Sequence, residues 1–275
     1  MSFCLGLEGR RAIHRDRSPW CLAAGPAEPQ AAPTAQNSAC MLAAIYAVLV
    51  TAGELARGRM TARRVTLSFD NGPTPGVTER VLDILGRARI LTTFFVIGSN
   101  LDDPAAASLM EQSHAAGHWI GNHTLTHRVA LGDRPDPAYA VNEIEGAEQR
   151  IGKFSHPEKL FRPYGNGGHI GPHLLSRAAL NYLLLQNFRT IIWNNVPGDW
   201  RDPGGWVERC VTQVLREDWS VVVLHDIASG CVARLGELLR RLDDLGVIFE
   251  QDFPDAVTIT RAGRVVGGAR GYVAE

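Results

Sequence analysis

From Val65 onward, short apolar runs rich in Val, Ile, Phe and Thr alternate with segments of helical period. The runs cover 65–69, 92–97, 118–121, 159–161, 190–193, 220–224 and 256–260. Between them, Asp103-Pro104, Asp136-Pro137 and Asp202-Pro203 each put an N-cap acceptor ahead of a proline at the first helical position. Gly117, Gly152 and Gly246 stand where a left-handed C-cap would close helices running from about 104, 137 and 231. Strands joined by crossover helices make a parallel sheet, either open and doubly wound or rolled up. About seven strands in roughly 200 residues suit the second, an α/β fold built as a distorted, incompletely closed (β/α) barrel.

Residues 1–60 lack this alternation. The stretch 27–33 is rich in Ala, Pro and Gln, and the segment reads as a poorly ordered extension ahead of a barrel at 61–275. Its apolar run, 39–53, is about 15 residues against the roughly 20 that span a bilayer, so no stable membrane insertion is expected. Arg10, Arg11, Arg15 and Arg17 lie far upstream of it, and Glu54 to Arg57 make a poor cleavage site; this tilts the expectation toward a cytoplasmic rather than an exported protein. Met60, directly before the first strand, is an alternative translation start.

Composition narrows the classes further. With 45% apolar and 21% charged residues the 275-residue chain can form a sizeable core. The 28 Lys and Arg against 29 Asp and Glu leave a formal charge of -1, without the basic footprint that would concentrate a nucleic acid. Cys4, Cys21, Cys40, Cys210 and Cys231 contain no C-x-x-C pair, so neither a disulfide framework nor a zinc ribbon is indicated, and Cys210 and Cys231 read as helix residues.

The chemistry collects at the carboxyl ends of the strands, the face on which α/β folds gather reactive groups. In order these are Asp70-Asn71, Asn122-His123, Arg162, Asn194 with Asp199-Trp200, and His225-Asp226. Carboxylate, imidazole and guanidinium at one rim describe a metal-assisted or acid/base hydrolytic site. Neither glycine-rich nucleotide fingerprint occurs.

His123 and His127 are four apart, which on a helical turn sets two imidazoles on one face, suitable for one divalent ion; the competing reading is a pair of hydrogen-bonded loop histidines. His114 and His118 repeat the spacing across an expected helix end, and His156, His169 and His173 read as surface histidines. Asp70 precedes the turn Asn71-Gly72-Pro73, which would expose its carboxylate, unless it serves only to form that turn. His225 follows a buried run and suits general acid work with Asp199 to orient it, or is a core histidine satisfied by a carbonyl.

Taken in order, Leu67 to Pro73, His123 to His127, Arg162-Pro163-Tyr164-Gly165, Asp199-Trp200 and Leu224-His225 resemble the motifs of polysaccharide deacetylases with the NodB homology domain, carbohydrate esterase family 4. The resemblance runs over about 65–260. It implies the incompletely closed barrel and hydrolysis of the N-acetyl amide of amino sugars in an acetylated oligo- or polysaccharide. It further implies a divalent transition metal, zinc foremost, held by His123, His127 and residue 71. In the same terms Asp70 is the general base with Arg162 its charge partner, and His225 is the general acid with Asp199 tuning it. Trp200 is a wall of the sugar pocket, and the Tyr164 backbone N–H helps to hold the oxyanion.

Three departures from the family pattern stand out. Asn71 occupies the place of a metal-binding aspartate, bringing no negative charge to the cation, so weak metal binding is expected. One residue is missing between Arg162 and Tyr164, and Val196 stands for the leading aspartate of the fourth motif. The other readings are a saccharide-binding homologue without turnover and a hydrolase of a small non-sugar amide.

Overall fold

The computed structural model describes residues 62–274. The expected N-terminal extension, its apolar run and the alternative start at Met60 lie outside them. Among the described residues no helix is long and apolar enough to cross a membrane.

The strands are β1 (Arg64–Asp70), β2 (Thr93–Val96), β3 (Trp119–Asn122), β4 (Leu160–Phe161), β5 (Arg189–Ile191), β6 (Trp219–His225), β7 (Ile248–Glu250), β8 (Thr258–Arg261) and β9 (Arg264–Val265). The helices are α1 (Thr78–Ala88), α2 (Pro104–Ala115), α3 (Pro137–Ile151), α4 (Arg177–Leu185), α5 (Trp206–Val214) and α6 (Leu235–Asp244). One curled sheet runs β6-β1-β2-β3-β4-β5-β8-β9, with β7 added alongside the start of β1. Pairing is parallel as far as β5, while β8 and β9 run antiparallel, which the uniform βα reading did not anticipate. The expected barrel is present, with more strands than about seven because β7 and β9 are too short to show alternation.

Caps account for the helix boundaries. Asp103 and Asp136 accept from Ala105 N and Ala138 N ahead of the expected prolines. Ser176 caps α4 by accepting from Ala179 N. Asp202 departs from expectation: it accepts from Gly204 N and Gly205 N in a turn, and α5 begins later, at Trp206. The helix expected from about 231 is a short 3-10 turn, Cys231–Ala233, followed by α6. Helices α1 and α4 fill gaps of the expected alternation but carry no Asp-Pro start to mark their bounds; α1 closes on Arg89 in the left-handed region rather than on a glycine.

Alternation along the strands sorts side chains between two compartments. Val65, Leu67 and Phe69 of β1, Phe94 and Val96 of β2, and Val222 and Leu224 of β6 pack against Leu85 of α1, Val207 and Val211 of α5, and Leu238 and Leu242 of α6. Phe95, Phe161, Ile191, Val221 and Val223 belong to a second cluster with Leu174, Phe253 and Ile259. The intervening β1 residues Thr66, Ser68 and Asp70 are polar yet buried, so the interior is not wholly apolar toward its rim.

Between β6 and the chain beyond β5 there is, among the described residues, one isolated backbone bridge. Asn195 bridges to Val222, donating its N–H to Val221 O at 3.2 Å and accepting from Val223 N at 2.9 Å. The Asn194 side chain extends this join: its Nδ2 donates to Trp219 O at 2.9 Å and its Oδ1 accepts from Val221 N at 2.7 Å. A side-chain amide thus takes the place of a peptide group in the ladder. Asn194, read from the sequence as a rim residue, is a structural one.

Candidate active site

Register brings the first two reactive groups together. β1 and β6 pair in parallel along their whole length, ending with Asp70 opposite His225. Residues opposite one another point to the same face. Both side chains, with His123, His127, Asn71, Tyr164, Trp193, Val196, Trp200 and Val223, line a pocket of about 190 Å³.

Asp70 is 3% exposed and Arg162 is completely buried. Arg162 Nη1 donates to Asp70 Oδ1 at 2.8 Å and to Ser68 Oγ at 2.7 Å, and its guanidinium carbon lies 4.0 Å from the centre of the Phe95 ring. The missing residue before Tyr164 therefore does not displace Arg162 from Asp70. The Arg162 carbonyl meets His123 Nδ1 at 2.8 Å. A carbonyl only accepts, so Nδ1 carries the proton and the Nε2 lone pair is left free, 3.6 Å from Asp70 Oδ2. Burial holds His123 below its ordinary value despite the opposing pull of Asp70, so the ring is neutral.

His123 and His127 do come together, with ring centroids 4.6 Å apart, but not on a helical turn. They sit on a loop in which Thr124 and His127 both have positive φ, 66° and 53°. Burial and the neighbouring imidazoles push His127 down to about 2. Its other side is covered by the Tyr164 ring, centroid to centroid 4.1 Å. His114 and His118 stay apart from this pair: His118 Nδ1 accepts from Thr92 N at 3.2 Å, its ring is edge-on to Phe94, and burial takes it to about 4, while His114 packs edge-on to Phe154. His156 is half-buried against Trp119 rather than on the surface, and His173 is half-buried too, whereas His169 is exposed.

His225 and Asp199 form the second acid-imidazole couple. Asp199 Oδ1 lies 2.8 Å from His225 Nδ1, and its Oδ2 accepts from His225 N at 2.9 Å. Asp199 is fully buried, so both oxygens are satisfied by one residue. Burial by itself would lower the His225 imidazole; the Asp199 hydrogen bond and charge, with the charges of Asp70 and Asp226, overcome this and raise it above the ordinary value. Trp200 stands edge-on to the His225 ring at 4.4 Å.

Two rim residues from the sequence reading prove structural. Asn122 donates to Ile144 O at 2.8 Å and accepts from Thr124 N at 3.0 Å, anchoring the histidine loop. Asp226 is buried below the turn after β1, accepting from Thr78 Oγ1 at 2.6 Å, and burial raises it to about 6. A Cβ at Gly72 would fall on the Asp226 carboxylate, so only glycine fits there. Gly72→Ala is accordingly expected to cost about 1–3 kcal/mol in denaturant unfolding. An unchanged midpoint would show slack in this turn.

Trp193 and the glycine loop beyond Gly165 were not legible as site residues, and Val196 was legible only as a departure from the family pattern. Trp193 Nε1 donates to Gly168 O at 3.1 Å, and a Cβ at Gly165 or Gly168 would strike Trp193 or Val196, so the loop lies flat against this wall. The only sequence signal for it is Gly165, Gly167 and Gly168 in close succession after Tyr164.

The donors available to a cation are two neutral imidazoles and one amide. Asn71, at φ 75°, has a buried Oδ1 with no hydrogen-bond partner. Among the described residues no group of three or more His, Cys, Asp and Glu could hold a metal ion. The partnerless amide oxygen of Asn71 and the free Nε2 of His123 belong to residues that line one pocket with His127, and these donor types suit a divalent ion, in a set carrying no negative charge.

The sequence model described as polysaccharide deacetylase matches residues 57–180. The chain is 32% identical over 192 residues to the peptidoglycan-N-acetylglucosamine deacetylase of Bacillus cereus, spanning 67% of this chain and 84% of that one. It is 34% identical over 170 residues to the chitooligosaccharide deacetylase of a Bradyrhizobium species, spanning 60% and 71%. A crystal structure of a Bacillus cereus polysaccharide deacetylase superposes with a TM-score of 0.58 at 25% identity, over 70% of this chain and 94% of the other. With 32% identity over two thirds of its length and a barrel that superposes, the chain belongs to the polysaccharide deacetylase family.

Proposed function

We propose that the protein removes N-acetyl groups from amino sugars in an oligo- or polysaccharide. The observation that carries this reading is the pairing of two opposed couples, Asp70 with Arg162 and His225 with Asp199, on adjacent positions of neighbouring strands beside two neutral imidazoles. Amide hydrolysis needs a nucleophilic water, stabilisation of the tetrahedral oxygen and a proton for a poor leaving group.

Arg162 engages Asp70 Oδ1 and leaves Oδ2 to take the proton of the attacking water. His225, whose Nδ1 is held by Asp199, presents Nε2 as the nitrogen that delivers a proton to the departing amine. Trp200 and Tyr164 flank the acetylated sugar, and the Tyr164 backbone N–H assists at the carbonyl oxygen. A divalent transition ion held by His123, His127 and Asn71, zinc foremost, would polarise the acetyl carbonyl and acidify a water.

Acetate release from N-acetylated glucosamine oligosaccharides, with and without added zinc or cobalt, tests this. Turnover that rises with added ion is expected. A specific observation favours a second reading, a saccharide-binding protein without turnover: the amide at Asn71 where the family carries a carboxylate. Saturable binding of the same oligosaccharides without acetate release under any metal would support it.

A further inference from the structure

The loop that presents His123 and His127 holds a conformation its own residues disfavour. Thr124 and His127 both occupy the left-handed region, at φ 66° and 53°, and Thr124 is β-branched. Such backbone persists only where the surroundings over-determine it. The restraint comes from behind the loop. Glu143 of α3, 2% exposed, accepts from Thr126 N at 2.9 Å and from Thr126 Oγ1 at 2.7 Å. Thr126 immediately precedes His127, whose own N–H donates to Thr124 Oγ1 at 3.2 Å. A buried carboxylate is costly unless hydrogen bonds satisfy it, and both Glu143 oxygens are committed to this one residue.

We propose that Glu143 is a positioning residue for the imidazole pair, acting through Thr126. With residue 126 fixed at both its N–H and its hydroxyl, the chain reaches His127 in the left-handed region and brings its ring to 4.6 Å from that of His123. Leu125 packs on the same helix, since a Cβ at Gly146 would lie 2.9 Å from Leu125 Cδ2. The inference rests on His123 and His127 acting as a metal pair.

The test uses Glu143→Ala, Glu143→Gln and Thr126→Val in the full chain. Zinc affinity is measured by competition against a calibrated chelator, and the Cε1–H resonances of His123 and His127 are recorded in the metal-free protein. Glu143→Ala is expected to weaken zinc binding about 10 to 100-fold, the usual worth of a partner that orients a ligand, and to shift the His127 resonance. Glu143→Gln, which keeps an acceptor for the Thr126 N–H, should recover most of both. A folded Glu143→Ala that melts earlier but keeps wild-type affinity and wild-type resonances would overturn the proposal. If Glu143→Ala does not fold, Thr126→Val decides by the same two measurements. If the wild type takes up no zinc while the resonance still shifts in Glu143→Ala, positioning stands and the metal reading fails.

Discussion

Asp70→Asn is expected to lower turnover by about 10² to 10⁴-fold, and His225→Ala by a similar factor, the usual effect of removing a positioned proton-transfer group. The two substitutions differ in what they do to the fold. Asn at 70 leaves the fully buried Arg162 guanidinium without its counter-charge, and breaking such a pair typically costs about 3–5 kcal/mol. His225→Ala leaves Asp199 one partner, the backbone N–H of residue 225. The rates therefore belong at a temperature where both variants are folded, checked by melting. A folded variant with near wild-type turnover would remove its residue from the mechanism.

The pH profile separates the roles further. As general acid His225 must be protonated, and Asp199 raises its titration above the ordinary imidazole value. Activity should thus persist above that value and fall only as pH rises through the raised one. Asp199→Asn should move this alkaline limb to lower pH, because burial then acts on His225 with less to oppose it.

The second large effect concerns Asn71. A neutral His/His/Asn set should bind a divalent ion weakly, so the isolated protein is expected to be largely metal-free after dialysis and activated by excess zinc or cobalt. Asn71→Asp restores one negative charge among the ligands. Since altering a mere neighbour of a ligand changes affinity by about 10 to 100-fold, Asn71→Asp should tighten binding by at least that much. Chelator competition on both forms measures it. Equal affinities would show that residue 71 is not a ligand, and His123→Ala or His127→Ala with unchanged metal stoichiometry would show that the imidazoles are structural.

Much of this site was legible in sequence because alternation fixes which side chains face inward and α/β sheets present strand ends at one rim. Asp70 and His225 could be expected on one face, but that they oppose each other depends on a β1–β6 pairing between strands over 150 residues apart, as in the Ser68 hydroxyl bond to Val222 O across 154 positions. The histidine loop was misread as helical because spacing alone does not reveal positive φ at Thr124 and His127. Glu143 looked like any helix glutamate; only its burial against Thr126 distinguishes it. Asn194 and Asp226 shared the rim in sequence yet turn away from the chemistry, since a polar residue after a strand serves equally well to complete a ladder or to underpin a turn.

The seam of the barrel sets how the pocket breathes. β6 is tied to β1 through seven register positions, but on its other edge, among the described residues, it is tied through Asn195, the Asn194 side chain and the Asp199 carboxylate. Regions held by few hydrogen bonds open at lower free energy than those held by many. Trp193 and Val196 flank that thin join and line the same pocket as the firmly paired Asp70 and His225. The cleft accordingly has one firmly paired wall that carries Asp70 and His225 and one thinly joined wall, and the second is the side expected to yield first to a bulkier occupant while the spacing of Asp70 and His225 is kept.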